Sequence, residues 1–463
     1  MTGTLDERVQ LYGSELATDR QRSAFVSGEV PVAVYGLGKM GLPLAAVYAE
    51  TTGNVAGVDV DESVVRAVNR GESPIDGEPG LDDLVREAVV EGSLEAFTDG
   101  AAVAEDASLH VVIVPTLVDD DDEPDLSVVK DVARDIAAGL DAGDTVVFES
   151  TLPPRSCRDE LLPLLESESG LDRSEFGLAF CPERTSSGRA LRDVRGAHPK
   201  VVGGVDDEST RVAEVVYGEL TSNDVIPVAN ATTAEAVKVF EGVYRDVNIA
   251  LANELGRHAD ELGIDVVDAI DAANTQPFCD IHTPGAGVGG HCIPYYPHFL
   301  IQRFESSSQL METAREINEM MPLYTTELTL NGLREAGTPP SEADVAVLGL
   351  TYRPGVAEIR STPALPIVEH LSDVGADVTV VDPVLDDYEA FEDVGGTPES
   401  VSRLQEQSFD AVVLVTPQDA FARLDVRSLR PHGERLLVVD GRQEFTHLRD
   451  AVEVDYRGVG LHD

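Results

Sequence analysis

The chain has 463 residues, with 34 Lys and Arg against 85 Asp and Glu, for a formal net charge of −51. That length supports several domains with sizeable cores, and a hydrophobic content of 42% excludes a disordered acidic chain. So negative a surface repels nucleic acid and anionic lipid, and no apolar run is long enough to span a bilayer, so neither partner is expected.

Residues 1–29 are polar and read as an extension of helix and linker; they carry no apolar signal segment, which predicts a cytoplasmic location. An apolar run at 30–35 ends in Gly36, and residues 31–59 read strand, glycine-rich turn, helix, strand. Strand-like runs at 55–58, 109–114 and 145–148 alternate with helical stretches to about residue 210, the pattern of a parallel doubly wound sheet. The acidic block 119–123 reads as a solvated loop. From 232 to 264 the period turns helical, with Phe240, Val243, Tyr244, Val247, Leu251 and Leu255 on one stripe that must face a core or a partner. Lys238, Gly242 and Arg245 share the opposite face. A second α/β block opens near Asp344 with DVAVLGL, then a helix over 364–374, then DVTVVDP, FDAVVLVTP and RLLVVDG as strands. The expected fold is α/β, two Rossmann-like doubly wound parallel sheets joined by a long-helix central domain. The expected division is an extension at 1–29 and domains at 30–212, 213–325 and 326–463.

Two motifs carry chemistry. Gly36-Leu37-Gly38-Lys39-Met40-Gly41 follows a strand and opens a helix, and Asp59 ends the next strand. Glycines allow the tight turn and a close approach of backbone to pyrophosphate at a helix N-terminus. Asp59 is placed to accept from both ribose hydroxyls, which favours NAD over NADP. The second motif is the glycine-dense run from Pro284 to Pro294, which leaves the thiol of Cys292 unshielded. A lone cysteine is more often a small packed hydrophobe than a nucleophile. Beside a nicotinamide, however, a thiol can trap an aldehyde as a thiohemiacetal and carry it on to a thioester. The other cysteines, Cys157, Cys181 and Cys279, form no CxxC pair, so all four read as reduced thiols and no metal site is expected. Lysine is confined to Lys39, Lys130, Lys200 and Lys238, and dispersed carboxylates with so little lysine suggest a surface adapted to concentrated salt. An ordinary acidic protein is the alternative.

The chain resembles the nucleotide-sugar 6-dehydrogenases related to UDP-glucose and GDP-mannose dehydrogenase. The resemblance spans residues 30–450 and rests on GLGKMGLPLA (36–45), EPGL (78–81), VPT (114–116), EST-PP (149–154), CPER (181–184), AEAVK (234–238), RDVNIALANE (245–254), GVGGHCIP (287–294), ARxIN (314–318), GLTYRPG…IRSTPAL (349–365) and VVDGR (438–442). Its GHCIP and RDVNIALANE forms look like the branch acting on UDP-N-acetylhexosamines such as UDP-N-acetylmannosamine, with UDP-N-acetylglucosamine and UDP-glucose as alternatives.

The resemblance implies Cys292 as nucleophile, Lys238 as oxyanion stabiliser, Glu183 as the base for water, and Thr151 orienting water or substrate. It places NAD on Gly36, Leu37, Gly38, Lys39, Met40, Gly41, Asp59, Thr116 and Thr151. It places the UDP-sugar near Arg184, Arg245, Asn248, Gly289, His291, Arg353, Arg360 and Arg442. It also implies a homodimer or a multiple of one. For several of these residues the plain reading is structural: Lys238 as a solvated helix residue, Glu183 as a helix cap, His291 as packing. The chain departs from the family's usual pattern in having Gly242 where an Asn stands, Tyr296 where an Asp stands, and Arg353 where Lys is favoured. Tyr296 can donate a hydrogen bond but is no carboxylate, and Asn248 could replace the donor lost at Gly242. A nucleotide-binding sensor without turnover, or a two-electron hydroxy-acid dehydrogenase, are the competing functions.

Overall fold

The computed structural model describes residues 8–119, 122–186, 188–430 and 434–462. Residues 1–7 of the expected extension and 120–121 of the expected acidic loop lie outside the described residues. The chain forms two compact units. The first runs to Glu241 and takes in His298–Arg303; the second comprises Gly242–Pro297 and the chain from Phe304 onward.

The first unit is built on an eight-stranded sheet: β1 Val32–Tyr35, β2 Val55–Val58, β3 Leu94–Phe97, β4 Leu109–Val112, β5 Thr145–Phe148, β6 Gly177–Phe180, β7 Lys200–Gly204 and β8 Val225–Pro227, in the order β8-β7-β6-β5-β4-β1-β2-β3. Strands β1, β4, β5 and β6 are buried along their whole length. That is the state of parallel strands covered by helices on both faces, and it explains why they read as unbroken apolar runs. The order reverses direction between β1 and β4, which puts the switch point of the sheet beside the glycine turn that follows β1.

One junction departs from the expected all-parallel sheet: β6 and β7 pair antiparallel, Ala179 opposite Gly204. Among the described residues, the connection carries only the short helical turns Ala190–Arg192 and Asp193–Ala197. An antiparallel partner starts at the end where the previous strand stopped. Residues 181–186 and 188–199 therefore stay at the carboxyl edge of the sheet.

The second unit holds a six-stranded, wholly parallel sheet: β9 Asp344–Leu348, β10 Asp377–Val381, β11 Gly396–Pro398, β12 Ala411–Leu414, β13 Leu436–Asp440 and β14 Val454–Gly458, in the order β11-β10-β9-β12-β13-β14. The helix Gln309–Ala336 packs on it so closely at Gly332 that a Cβ there would lie 2.6 Å from the Leu437 side chain. The long helix Ala231–Gly256 begins in the first unit and ends in the second. Half of its expected stripe is exposed in this chain: Phe240 is 59% exposed, Tyr244 52% and Leu251 45%, whereas Val243, Val247 and Leu255 are half-buried. No helix among the described residues is long and apolar enough to cross a membrane.

Candidate functional site

In the first unit, Gly36 adopts φ +96° and a Cβ on it would lie 2.7 Å from the Ile113 carbonyl oxygen; one on Gly41 would lie 1.9 Å from the Gly36 oxygen. These two glycines are demanded by the protein's own backbone. Gly38 differs: it is exposed, and a Cβ there would meet nothing within 4 Å. The helix Gly41–Thr52 starts with no side-chain cap on its first N–H groups. An open loop leading into an uncapped helix N-terminus fits a diphosphate. Asp59 follows β2, its Oδ2 accepting from Leu37 N at 2.8 Å and its Oδ1 from Asp61 N at 3.0 Å, which aims the carboxylate at the loop. Among the expected dinucleotide contacts, Leu37 differs from its neighbours because its side chain is buried and its N–H is spent on Asp59.

Thr116 Oγ1 donates to the Thr151 carbonyl at 2.6 Å, tying together the loops that follow β4 and β5. Just past β6, Glu183 accepts from the Thr185 N–H, and Thr185 Oγ1 donates to Met40 Sδ at 2.9 Å, anchoring this loop to the glycine turn. Lys238 donates to the Glu183 carbonyl and lies 3.6 Å from its carboxylate, at 8% exposure. The solvated-helix reading of Lys238 is thereby set aside, since burying an ammonium demands partners. Arg184 bonds the Pro199 carbonyl at 3.1 Å and pairs with Glu241 at 2.7 Å.

Two buried clusters behind this edge were not legible in the sequence. Glu149 accepts from Tyr217 Oη at 2.6 Å and pairs with Lys200 at 3.4 Å. Glu235, three residues before Lys238, accepts from Arg155 N at 2.6 Å and Cys157 N at 2.7 Å, and burial raises its carboxyl to about 7. Burial also pushes the Cys181 thiol up to about 12 and the Cys157 thiol well above its ordinary value, so both are inert.

In the second unit, Cys292 is exposed and sits in a loop whose glycines are set by close packing. A Cβ on Gly289 would lie 2.7 Å from the Ser361 oxygen, one on Gly290 would lie 2.9 Å from the Tyr352 ring, and Gly290 N donates to the Arg360 carbonyl at 2.9 Å. Tyr296 Oη donates to Cys292 Sγ at 3.1 Å. His291 bonds Glu358, whose carboxylate also lies 3.8 Å from Arg360. Arg353 is exposed. Burial beside Glu358 raises the Tyr352 phenol.

Two expected substrate contacts make hydrogen bonds within the protein. Arg442 lies under the glycine loop, bonding the Gly287 carbonyl at 3.1 Å and the Val415 carbonyl at 3.3 Å, so its fork holds protein backbone. The Asn248 amide bonds the Asp280 carbonyl at 2.6 Å, and its oxygen accepts from His282 N at 2.8 Å. Its neighbour Arg245 is exposed. The RDVNIALANE and ARxIN motifs meet in a buried network: Asp246 Oδ1 accepts from Arg315 at 2.6 Å and Asn318 at 2.8 Å, Asn253 donates to Asn318 at 2.8 Å, and Gly285 N donates to Asn253 at 2.9 Å. These residues seat the start of the cysteine loop.

Three family models match the chain: the UDP-glucose/GDP-mannose dehydrogenase family NAD binding domain over residues 30–221, its central domain over 232–320, and its UDP binding domain over 346–447. The chain is 35% identical to a UDP-N-acetyl-D-mannosamine dehydrogenase of Pyrococcus horikoshii, covering 93% of this chain and 99% of that one. It is 35% identical to an NDP-N-acetyl-D-galactosaminuronic acid dehydrogenase of Ralstonia nicotianae, over 91% of this chain and 97% of the relative. A solved structure of the Pyrococcus horikoshii UDP-D-ManNAc dehydrogenase matches with a TM-score of 0.84 at 33% identity, covering 93% of this chain and 99% of that one.

Proposed function

The chain belongs to the UDP-glucose/GDP-mannose dehydrogenase family, an NAD-using family of nucleotide-sugar dehydrogenases, and from that premise we propose that it oxidises C6 of a UDP-N-acetylhexosamine from alcohol to carboxylate, with UDP-N-acetylmannosamine as the preferred sugar. NAD, bound at the Gly36–Gly41 turn and Asp59, supplies the hydride acceptor for both oxidations. The remaining chemistry belongs to side chains. The Cys292 sulfur adds to the C6 aldehyde, forming a C–S bond and an oxyanion, and the Lys238 ammonium stabilises that oxyanion. After the second oxidation the sulfur holds a thioester. Glu183 takes a proton from water, the water oxygen adds to the carbonyl carbon, and the C–S bond breaks with its electron pair going to sulfur. Arg184, Arg245, Gly289, His291, Arg353 and Arg360 are proposed to contact the UDP-sugar, and Thr116 and Thr151 the nicotinamide side.

The observation that carries this reading is the exposed thiol of Cys292 in its glycine-packed loop, while Cys157 and Cys181 are buried. The same reading takes the exposed stripe of Phe240, Tyr244 and Leu251 as the seam of a homodimer, which light scattering on the purified chain tests.

The deciding experiment mixes the protein in molar KCl with NAD and, in separate arms, UDP-N-acetylmannosamine, UDP-N-acetylglucosamine, UDP-N-acetylgalactosamine and UDP-glucose. Two NADH per sugar consumed is the expected stoichiometry, with the mannosamine arm fastest. Another sugar fastest at two NADH corrects the substrate and keeps the chemistry. One NADH per sugar, or tight binding without NADH, overturns it. The variant Cys292→Ser is expected to stall after the first oxidation, because a neutral hydroxyl is the poorer nucleophile toward the aldehyde and no thioester can form; full turnover by that variant refutes covalent catalysis.

A further inference from the structure

The two departures from the family's pattern, Gly242 and Tyr296, meet in the second unit. A Cβ on Gly242 would lie 2.3 Å from Tyr296 Cδ2 and 3.0 Å from its Cβ and Cγ, so the ring fills the space that a side chain at 242 would need. The ring is 8% exposed, and its backbone is pinned by Tyr296 N donating to the Cys292 carbonyl at 3.0 Å. From there its hydroxyl donates to Cys292 Sγ at 3.1 Å, within the range for a sulfur acceptor. We propose that Tyr296 is a catalytic hydrogen-bond donor to the Cys292 sulfur, and that the absence of a side chain at Gly242 is what admits its ring. The inference rests on Cys292 being the nucleophile of the reaction proposed above.

The chemistry selects the step. A thioester sulfur carries little charge, and as its C–S bond breaks the electron pair moves onto sulfur. A donor aimed at sulfur therefore stabilises the breaking bond more than the thioester, and a bond to an ion is roughly twice as strong as a neutral one. The proton taken from water goes to Glu183; the phenolic O–H stays intact and only shifts its hydrogen bond toward the charge. The residues at 242 and 296 are thus sterically coupled: a phenol lies on the sulfur where the helix carries no side chain.

The test uses the full chain, NAD and UDP-N-acetylmannosamine, with an acid quench and intact-mass measurement. Tyr296→Phe keeps the ring against Gly242 and removes only the hydroxyl. It is expected to keep a burst of two NADH per site, to lower kcat about 10-fold, and to accumulate a sugar thioester on Cys292 that the parent protein does not. A Tyr296→Phe protein that turns over like the parent without an adduct overturns the inference while leaving the nucleophile in place. A fully active Cys292→Ser protein overturns the underlying reading instead, so the two failures are distinguishable. The steric half is tested by melting: Gly242→Ala is expected to lower Tm, and Gly242→Ala combined with Tyr296→Ser to recover most of that loss without restoring thioester cleavage. An unchanged Tm for Gly242→Ala overturns the coupling.

Discussion

Lys238, Glu183 and Asp59 show what a single residue owes to its neighbours. The ammonium of Lys238 rests on the Glu183 carbonyl, 3.6 Å from its carboxylate, so its charge is partnered where water is scarce. Replacing it by Met keeps the bulk and removes the charge; turnover is expected to fall 100- to 1,000-fold, the usual loss for one oxyanion donor, with NAD affinity unchanged by fluorescence titration. Asp59→Asn is expected to weaken NAD binding several-fold and to narrow the preference over NADP, because the 2′-phosphate no longer meets a carboxylate. Thiol titration separates the cysteines. Cys292 should react in the native protein, whereas Cys157 and Cys181, buried with raised thiols, should react only after denaturant is added. At this scale the sequence displayed the candidate nucleophile, lysine and glutamate through their motifs. It could not show that Asn248 and Arg442 bond backbone groups, since such partners are brought by folding from residues 280–282, 287 and 415.

Among the elements, the strands β1, β4 and β5 were legible because a strand buried on both faces must be apolar at every position. The reversal between β6 and β7 was not, since GLAF and KVVGG read alike in either direction. Strand β4 also carries a titration. His110 is fully buried, its Nδ1 3.2 Å from Tyr35 Oη on β1, and burial lowers its imidazole to about 3. The unfolded chain takes up that proton near pH 6.5 and the folded strand does not. The neutral ring's contribution is therefore complete above pH 6.5 and is lost progressively from there toward pH 3, which amounts to about 2 kcal/mol by pH 5. Urea unfolding should show this acid limb, and His110→Phe should flatten it.

For the whole molecule, charge is the leading property. Of the four lysines, Lys200 and Lys238 are buried and Lys130 pairs with Glu160 at 2.6 Å, so the exposed cations among the described residues are mainly arginines. A net charge of −51 makes carboxylate self-repulsion the dominant surface term at low ionic strength. Because screening shortens to about 3 Å in molar salt, Tm is expected to rise steadily from low to molar KCl. A flat or falling curve in calorimetry would reject adaptation to salt.

The order of the elements, the dinucleotide turn and the family were written in the chain itself, because glycine spacing, buried apolar runs and contiguous motifs are local properties. The tertiary structure decided how those residues are partnered and how far each is buried. Burial separated two inert thiols from the exposed one, and hydrogen bonds across long stretches of chain engaged Arg442 and Asn248. It also joined Gly242 to Tyr296, two residues 54 positions apart whose relation is steric and therefore exists only once the chain has folded.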